Sequence, residues 1–166
     1  FNGSSFSFFF LNRESVKEYS FLNNKEKYNR VLGGEYNLAS GDGKWFGKAF
    51  VHKSFRPSEI DNKQNISSGI MITRNTKKSL IRFYSAYVGD DFRSDLGYYR
   101  RYGMYKFEPN YRFRIYPENP KIQEIELSHY AAWVFRTELE NKYEGNIHYS
   151  QIQLKYLSTS RLSFQR

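Results

Sequence analysis

"YKFEPNYRFRIYP", residues 105–117, decides what kind of fold this chain can adopt. Every second residue gives Tyr105, Phe107, Pro109, Tyr111, Phe113 and Ile115, and the alternate set is Lys106, Glu108, Asn110, Arg112 and Arg114. Successive side chains of a strand point to opposite faces, so the segment is a ribbon with one aromatic face and one charged face. A soluble sheet would turn the aromatic face to a core. A membrane barrel would turn it to lipid and keep the charges around water.

The same alternation recurs along the chain. Phe6, Phe8 and Phe10 share a parity in residues 5–12. Residues 26–40 set Tyr28, Leu32, Tyr36 and Leu38 against Lys27, Asn29, Glu35 and Asn37. In 44–55, Trp45, Gly47, Ala49 and Val51 alternate with Lys44, Lys48 and His52, while Phe46 and Phe50 blur the pattern. Residues 66–92 read as two strands around a turn near Asn75, and 122–139 carries Ile125, Leu127, Ala131, Trp133 and Phe135 on one parity. A final pair is expected at Ile147–Tyr156 and Leu162–Arg166. Turn chemistry separates these runs at "SGDGK", "YPENPK" and "NKYEGN", and "RPSEIDNKQN" (56–65) is a polar loop.

About eight strands follow, several longer than the roughly 5–6 residues usual in soluble domains and closer to the ~9–11 that cross a membrane when tilted. The fold class expected is all-β: an antiparallel transmembrane β-barrel, with residues 1–166 forming one segment of a larger up-and-down barrel. Helix is expected only as a turn near Arg13–Tyr19. Pro109 cannot donate to a ladder, so it demands a bulge, a strand end or an edge; a bulge is the assignment made from sequence.

Composition agrees with amphipathic strands. The 166 residues suffice for one domain, yet mean hydropathy is −0.77 and aromatic residues make up 19% of the chain, nearly half of its 39% hydrophobic content. Compact soluble cores are filled mainly by Leu, Ile, Val and Ala. The formal net charge is +9, dispersed without a basic arm. Cysteine is absent, which removes disulfides, thiolate metal sites and a Cys nucleophile. No apolar run approaches the ~18 residues of a spanning helix, so any membrane crossing is by strands. Phe1 already sits in strand-like sequence and the last residues stop inside an alternating segment, from which a piece of a longer protein is expected.

Three stretches carry a resemblance: "DGKWFGKAFVHKSF" (42–55), "YVGDDFRSDLGYYRR" (87–101) and "YRFRIYPENPKIQ" (111–123). In order and spacing they resemble an uncharacterised outer-membrane β-barrel region that follows a family-9-type carbohydrate-binding domain in Gram-negative envelope proteins. The likeness runs from about Tyr28 to Gln123 and weakens beyond it. It implies a bacterial outer-membrane location, a longer barrel, and a tie to glycan handling through a neighbouring domain. No activity and no catalytic residue come with it.

Chemical motifs are weak. Asp90, Asp91 and Asp95 form an acidic loop cluster whose spacing does not match a calcium loop, and pairing with Arg93, Arg100 or Arg101 is expected instead. His52, His129 and His148 lie far apart, without metal-ligand spacing, and no nucleophile elbow is present. "LGGEYN" is not a phosphate loop; Gly33 and Gly34 are expected to relieve crowding in a curved strand. Asn2-Gly3-Ser4 and Asn65-Ile66-Ser67 match a glycosylation triplet with no expected consequence.

The candidate site residues are therefore the lumen-facing charges Lys106, Glu108, Arg112 and Arg114, partnered by Glu124 and Glu126 on the next strand, and the loop carboxylates Asp90, Asp91 and Asp95. A structural or transport-associated, non-enzymatic barrel is expected, without cofactor or metal. Its partners would be outer-membrane lipid and glycan or other envelope proteins, with no nucleic acid. Two rivals are a soluble all-β glycan-binding module and a basic β domain binding single-stranded nucleic acid, where rings stack bases and cations hold phosphates.

Overall fold

Turn residues and alternating patterns together produce an uninterrupted meander. The computed structural model describes residues 3–16, 27–57, 63–97, 99, 101–137 and 142–166. Nine antiparallel strands follow in chain order: β1 (Ser5–Glu14), β2 (Tyr28–Ala39), β3 (Trp45–Phe55), β4 (Ile66–Asn75), β5 (Ser79–Val88), β6 (Met104–Ile115), β7 (Ile122–Arg136), β8 (Lys142–Tyr156) and β9 (Arg161–Gln165). They form one sheet in the spatial order β1 to β9, with β1 and β9 at the edges, so the sheet is open. The expected eight strands are nine. Residues read as the turn "NKYEGN" largely belong to β8, and Arg13 and Glu14 continue β1 instead of turning; residues 17–19 lie outside the described residues.

Local chemistry closes each hairpin. In residues 40–44 the Asp42 carboxylate accepts from the Ser40 hydroxyl at 2.6 Å and the Lys44 amide at 3.1 Å, and Gly43 takes φ +66°, the left-handed conformation that glycine reaches without strain. These bonds hold Asp42 down at about 2, below the ordinary carboxylate value, with the Ser40 hydroxyl the largest cause. Thr76 and Ser79 clamp the next turn through their hydroxyls and backbone, and Asn119 Oδ1 accepts from the amides of Lys121 and Ile122.

The register separates two faces along all nine strands. One carries Phe6, Phe8, Phe10, Leu32, Trp45, Val51, Ile70, Ile81, Phe83, Tyr111, Leu127, Ile152 and Phe164, each of which remains substantially exposed. Phe8 retains 81% of its surface and Phe6 74%. Among the described residues no second layer covers this face. Two polar pairs within it are hydrogen-bonded: the Ser85 hydroxyl donates to Tyr105 Oη at 3.0 Å, and His129 Nδ1 shares a 2.8 Å hydrogen bond with the Ser150 hydroxyl.

The opposite face carries most of the charges, and glycines accommodate two of its aromatic rings. A Cβ on Gly33 would fall 2.3 Å from the Phe9 ring, and one on Gly69 would fall 2.7 Å from the ring of Phe50. Each ring lies flat over a glycine in the neighbouring strand, which explains why Phe50 breaks the parity of β3. Gly33 therefore makes room for a ring from β1, a more specific role than easing curvature.

Pro109 is not in a bulge. It pairs in register with Phe83 of β5; on the β7 side the ladder skips Glu108 and Pro109, yet Phe107↔Trp133 and Asn110↔Tyr130 keep one register. The missing N–H costs a ladder bond without an extra residue being inserted. Irregularities occur instead between β7 and β8, at Ile122/Glu124 and Val134/Phe135, the longest strand pair of the sheet.

Candidate functional site: the ion-paired face and its inward strap

The two ends of the sheet differ. Strands are joined at one end by residues 40–44, 76–78, 116–121 and 157–160, and at the other by residues 15–27, 56–65, 89–103 and 137–141. The segment 89–103, between β5 and β6, is the longest of these, and it does not extend away from the sheet. It folds back across the charged face as far as β1.

Its anchor is Phe92, which is fully buried with Val31 of β2 and Val88 of β5, backed by Phe9, Leu11, Tyr99, Tyr102 and Met104. The Phe92 and Tyr99 rings meet edge to face at 4.7 Å, a favoured aromatic geometry. Backbone polar groups of the strap are then matched one by one. Asn29 of β2, itself buried, donates to the Arg93 carbonyl at 3.1 Å and accepts from the Asp95 amide at 3.0 Å. The Ser54 hydroxyl of β3 accepts from the Arg93 amide at 3.2 Å. The Arg13 guanidinium of β1 holds the Asp95 carboxylate through Nε at 2.9 Å and Nη2 at 2.6 Å.

A charged chain runs from the strap into the wall. The Tyr99 hydroxyl and His52 Nδ1 are 2.8 Å apart, His52 Nε2 lies 3.4 Å from Glu35, and Glu35 pairs with Lys48 at 2.7 Å. Burial pushes the Tyr99 hydroxyl above the usual tyrosine value. The other end of the strap is fixed by Asp90, whose carboxylate accepts from the Thr137 hydroxyl at 2.9 Å, and by Gly103 at φ +64° beside that carboxylate.

The loop carboxylates thus do not converge. Asp95 pairs with Arg13, across 82 residues of sequence, instead of a nearby arginine. Arg93 binds carbonyls, those of Asp90 and Phe92 at 2.7 Å, and stacks on Tyr102; Arg101 faces Glu144 at 3.4 Å. Arg100 lies outside the described residues. The Asp91 amide donates to the Gln64 carbonyl at 3.0 Å, and its carbonyl faces Arg56. Among the described residues no group of three or more His, Asp or Glu side chains is arranged to hold a metal ion.

The four candidate charges of β6 lie together on the charged face. Lys106 pairs with Glu108, which also accepts from the Tyr130 hydroxyl at 2.6 Å. Arg112 and Arg114 share Glu126 of β7, at 3.2 and 3.3 Å. Glu124, expected as a further partner for these bases, stands instead at the strand end beside Tyr116 and in register with Lys155. Between this wall and the strap opens a cleft of ≈ 420 Å³, lined by Arg101, Lys106, Tyr130 and Glu144 over a floor that includes Ala132 and Gly145.

Sequence reasoning missed the strap because its anchors are remote. The signal it offered was Phe92, a lone large apolar residue within "GDDFRSD", in a connection longer than most between adjacent strands. No protein-family model matches this chain, and the searches of curated proteins and of solved structures returned no match.

Proposed function

We propose that this chain forms part of the wall of an outer-membrane β-barrel, with the aromatic face toward lipid and the ion-paired face toward a water-filled lumen. The observation that carries this reading is the apolar face, exposed along all nine strands with no covering layer among the described residues, opposite a face that carries most of the charges, many of them paired. Single exposed apolar residues need no explanation, but a contiguous patch on this scale marks a surface that meets another apolar phase. Lipid supplies that phase for every strand at once.

Three further features support the reading. Eight of the nine strands have 10 to 15 residues, enough to cross hydrocarbon at a tilt. Connections of 3 to 6 residues at one end, against three of 10 to 15 residues at the other, match the usual asymmetry between periplasmic and extracellular ends. Two polar pairs on the apolar face bond locally, as a medium without water requires. The role is structural and transport-associated, and the resemblance to barrel regions beside carbohydrate-binding domains makes envelope glycans the cargo or neighbour of this reading.

The test is behaviour in lipid. Full-length protein should fractionate with outer membranes, need detergent for solubility, and run faster on gels before heating than after. Monomeric protein stable in buffer without detergent would remove the barrel reading and leave the soluble glycan-binding module; salt-dependent capture of single-stranded DNA would favour the nucleic-acid domain.

A further inference from the structure

We propose that Arg82, Arg112 and Arg114, together with the Thr73 hydroxyl, form a binding subsite on the charged face for oxyanions: carboxylate, sulfate or phosphate groups of an anionic solute. The proposal deepens the barrel reading by assigning a preference to its lumen, but the binding chemistry itself does not depend on a membrane.

Positive charge is in excess on this face. On the wall built by β5, β6 and β7, the basic side chains are Arg82, Lys106, Arg112, Arg114 and Arg136, and the carboxylates are Glu108, Glu124 and Glu126; Arg136 pairs with Glu144 of β8, and Glu124 stands in register with Lys155. Glu108 is already committed to Lys106 and to the Tyr130 hydroxyl. Glu126, mostly buried with its side chain 13% exposed, is shared between two guanidinium groups. A single carboxylate neutralises one of them and leaves the other's charge uncompensated. Arg82 adds another: its side chain is exposed, and it has no carboxylate within ion-pair distance among the described residues.

Hydrogen-bond capacity is in surplus as well. Each guanidinium offers about five N–H donors in a fixed plane, well matched to the paired oxygens of an oxyanion. The buried Arg112 Nε makes no hydrogen bond even though it lies 3.2 Å from Glu126. The Thr73 hydroxyl is buried and also without a partner, and Thr73 stands directly in register with Arg82. Arg82 in turn faces Asn110, whose amide stands two residues from Arg112 on the same face. Unpaired buried donors are costly, and an incoming acceptor relieves that cost where another base would add to it. Anions are thus the class of ligand that this arrangement favours, because a neutral acceptor satisfies the donors without offsetting the charge and a cation adds to it.

The decisive test uses inorganic sulfate on detergent-solubilised full-length protein. Phenylglyoxal modifies accessible arginines, and peptide mass spectrometry reads each position. Sulfate should slow modification of Arg82 and Arg112 while leaving Arg74, on the apolar face beside Trp45, unaffected. The Arg82→Gln variant should weaken protection of Arg112 about fivefold, the loss expected from one exposed ionic contact. Equal protection at all three positions, or none at Arg82 and Arg112, overturns the subsite. A second arm measures reversal potentials in planar bilayers: anions should permeate more readily than cations, and the Arg82→Gln, Arg112→Gln pair should abolish the preference. Cation selectivity in the unmodified protein also overturns the proposal. Sulfate protection in protein that fails to enter membranes would sustain the subsite and sink the barrel, so the two failures are distinct.

Discussion

Replacing Ile70 by Arg tests the assignment of faces most directly. Ile70 sits at the middle of β4 on the apolar face, 40% exposed, between Ala49 and Ser85 in register. From Ile70 the nearer end of β4, Ile66, lies about 13 Å away along the backbone at ~3.3 Å per residue, and Asn75 about 16 Å, both farther than an arginine side chain reaches. On the proposed barrel reading snorkelling to water is therefore blocked, and the guanidinium stays in hydrocarbon. An arginine at the midplane of a barrel's lipid face costs about 2–4 kcal/mol, equivalent to a shift of about 30- to 900-fold in the folding equilibrium. Ile81, on the same face but two residues from the start of β5, lies within about 7 Å of the strand end, where the cost falls to about 0–1 kcal/mol. Gln151→Arg, on the charged face of β8, should be close to neutral. Urea titration of the full-length protein refolded into vesicles measures all three. Were this an ordinary solvent-exposed face, Ile70→Arg would change stability by no more than about 0.5 kcal/mol; that result, or equal costs at Ile70 and Ile81, refutes the assignment.

The remaining predictions concern the strap and its contacts. Phe92→Ala should cost about 3–5 kcal/mol of local stability, because Phe92 is the fully buried anchor; trypsin cleavage after Arg93 and Arg101 should then accelerate while the β-sheet signal in infrared spectra is unchanged. Unaltered proteolysis would mean that the strap is held elsewhere. A double-mutant cycle on Arg13→Gln and Asp95→Asn should give a coupling of only about 0.2–1 kcal/mol, since both side chains are about a third exposed, at 32% and 39%. Tyr99 supplies a pH dependence whose sign follows from its raised value: the folded state favours the neutral phenol, so its contribution is full below the usual 10.0 and is lost as pH rises through the shifted value. Strap attachment should thus be constant near neutrality and weaken in alkali, and Tyr99→Phe should lower the late-titrating part of the tyrosinate absorbance by one phenol.

Strand positions and faces were legible in the sequence because they depend on period alone. A residue's parity within "YKFEPNYRFRIYP" says which side it takes whatever the neighbouring strands do, and the turn residues say where the ribbon stops. What lay beyond reach were features fixed by neighbours. Phe50 blurs the pattern unless Gly69 is placed opposite it, and Pro109 calls for a bulge only while the register to β5 and β7 on either side of it is unknown. The pairing of Arg112 and Arg114 with Glu126 was readable, since adjacent strands of a meander must meet. Asp95 with Arg13 was not, because the strap leaves β5 and reaches the first strand only by crossing the face over the strands between them. Nearby arginines in sequence were the natural guess, and the backbone of the strap leaves Arg93 to bind carbonyls instead.

The open sheet also constrains what the proposed barrel must look like. In a meander each strand reverses direction, so β1 and β9 both run from the short-turn end toward the long-connection end. They cannot pair antiparallel with each other, and a barrel wall with antiparallel ladders throughout closes only by adding an odd number of strands between them. The total is then even and at least ten, the parity found in bacterial single-chain barrels. Among the described residues each edge strand leaves one side of its backbone without a partner strand, and beside β1 stand Phe6, Phe8 and Phe10 on the apolar face. Unpaired backbone in hydrocarbon costs several kcal/mol per group, so both edges need partners before insertion. Paired cysteines joining β1 directly to β9 should therefore fail to cross-link in the membrane-inserted full-length protein. Efficient cross-linking there would mean a parallel seam between them and a nine-stranded closure.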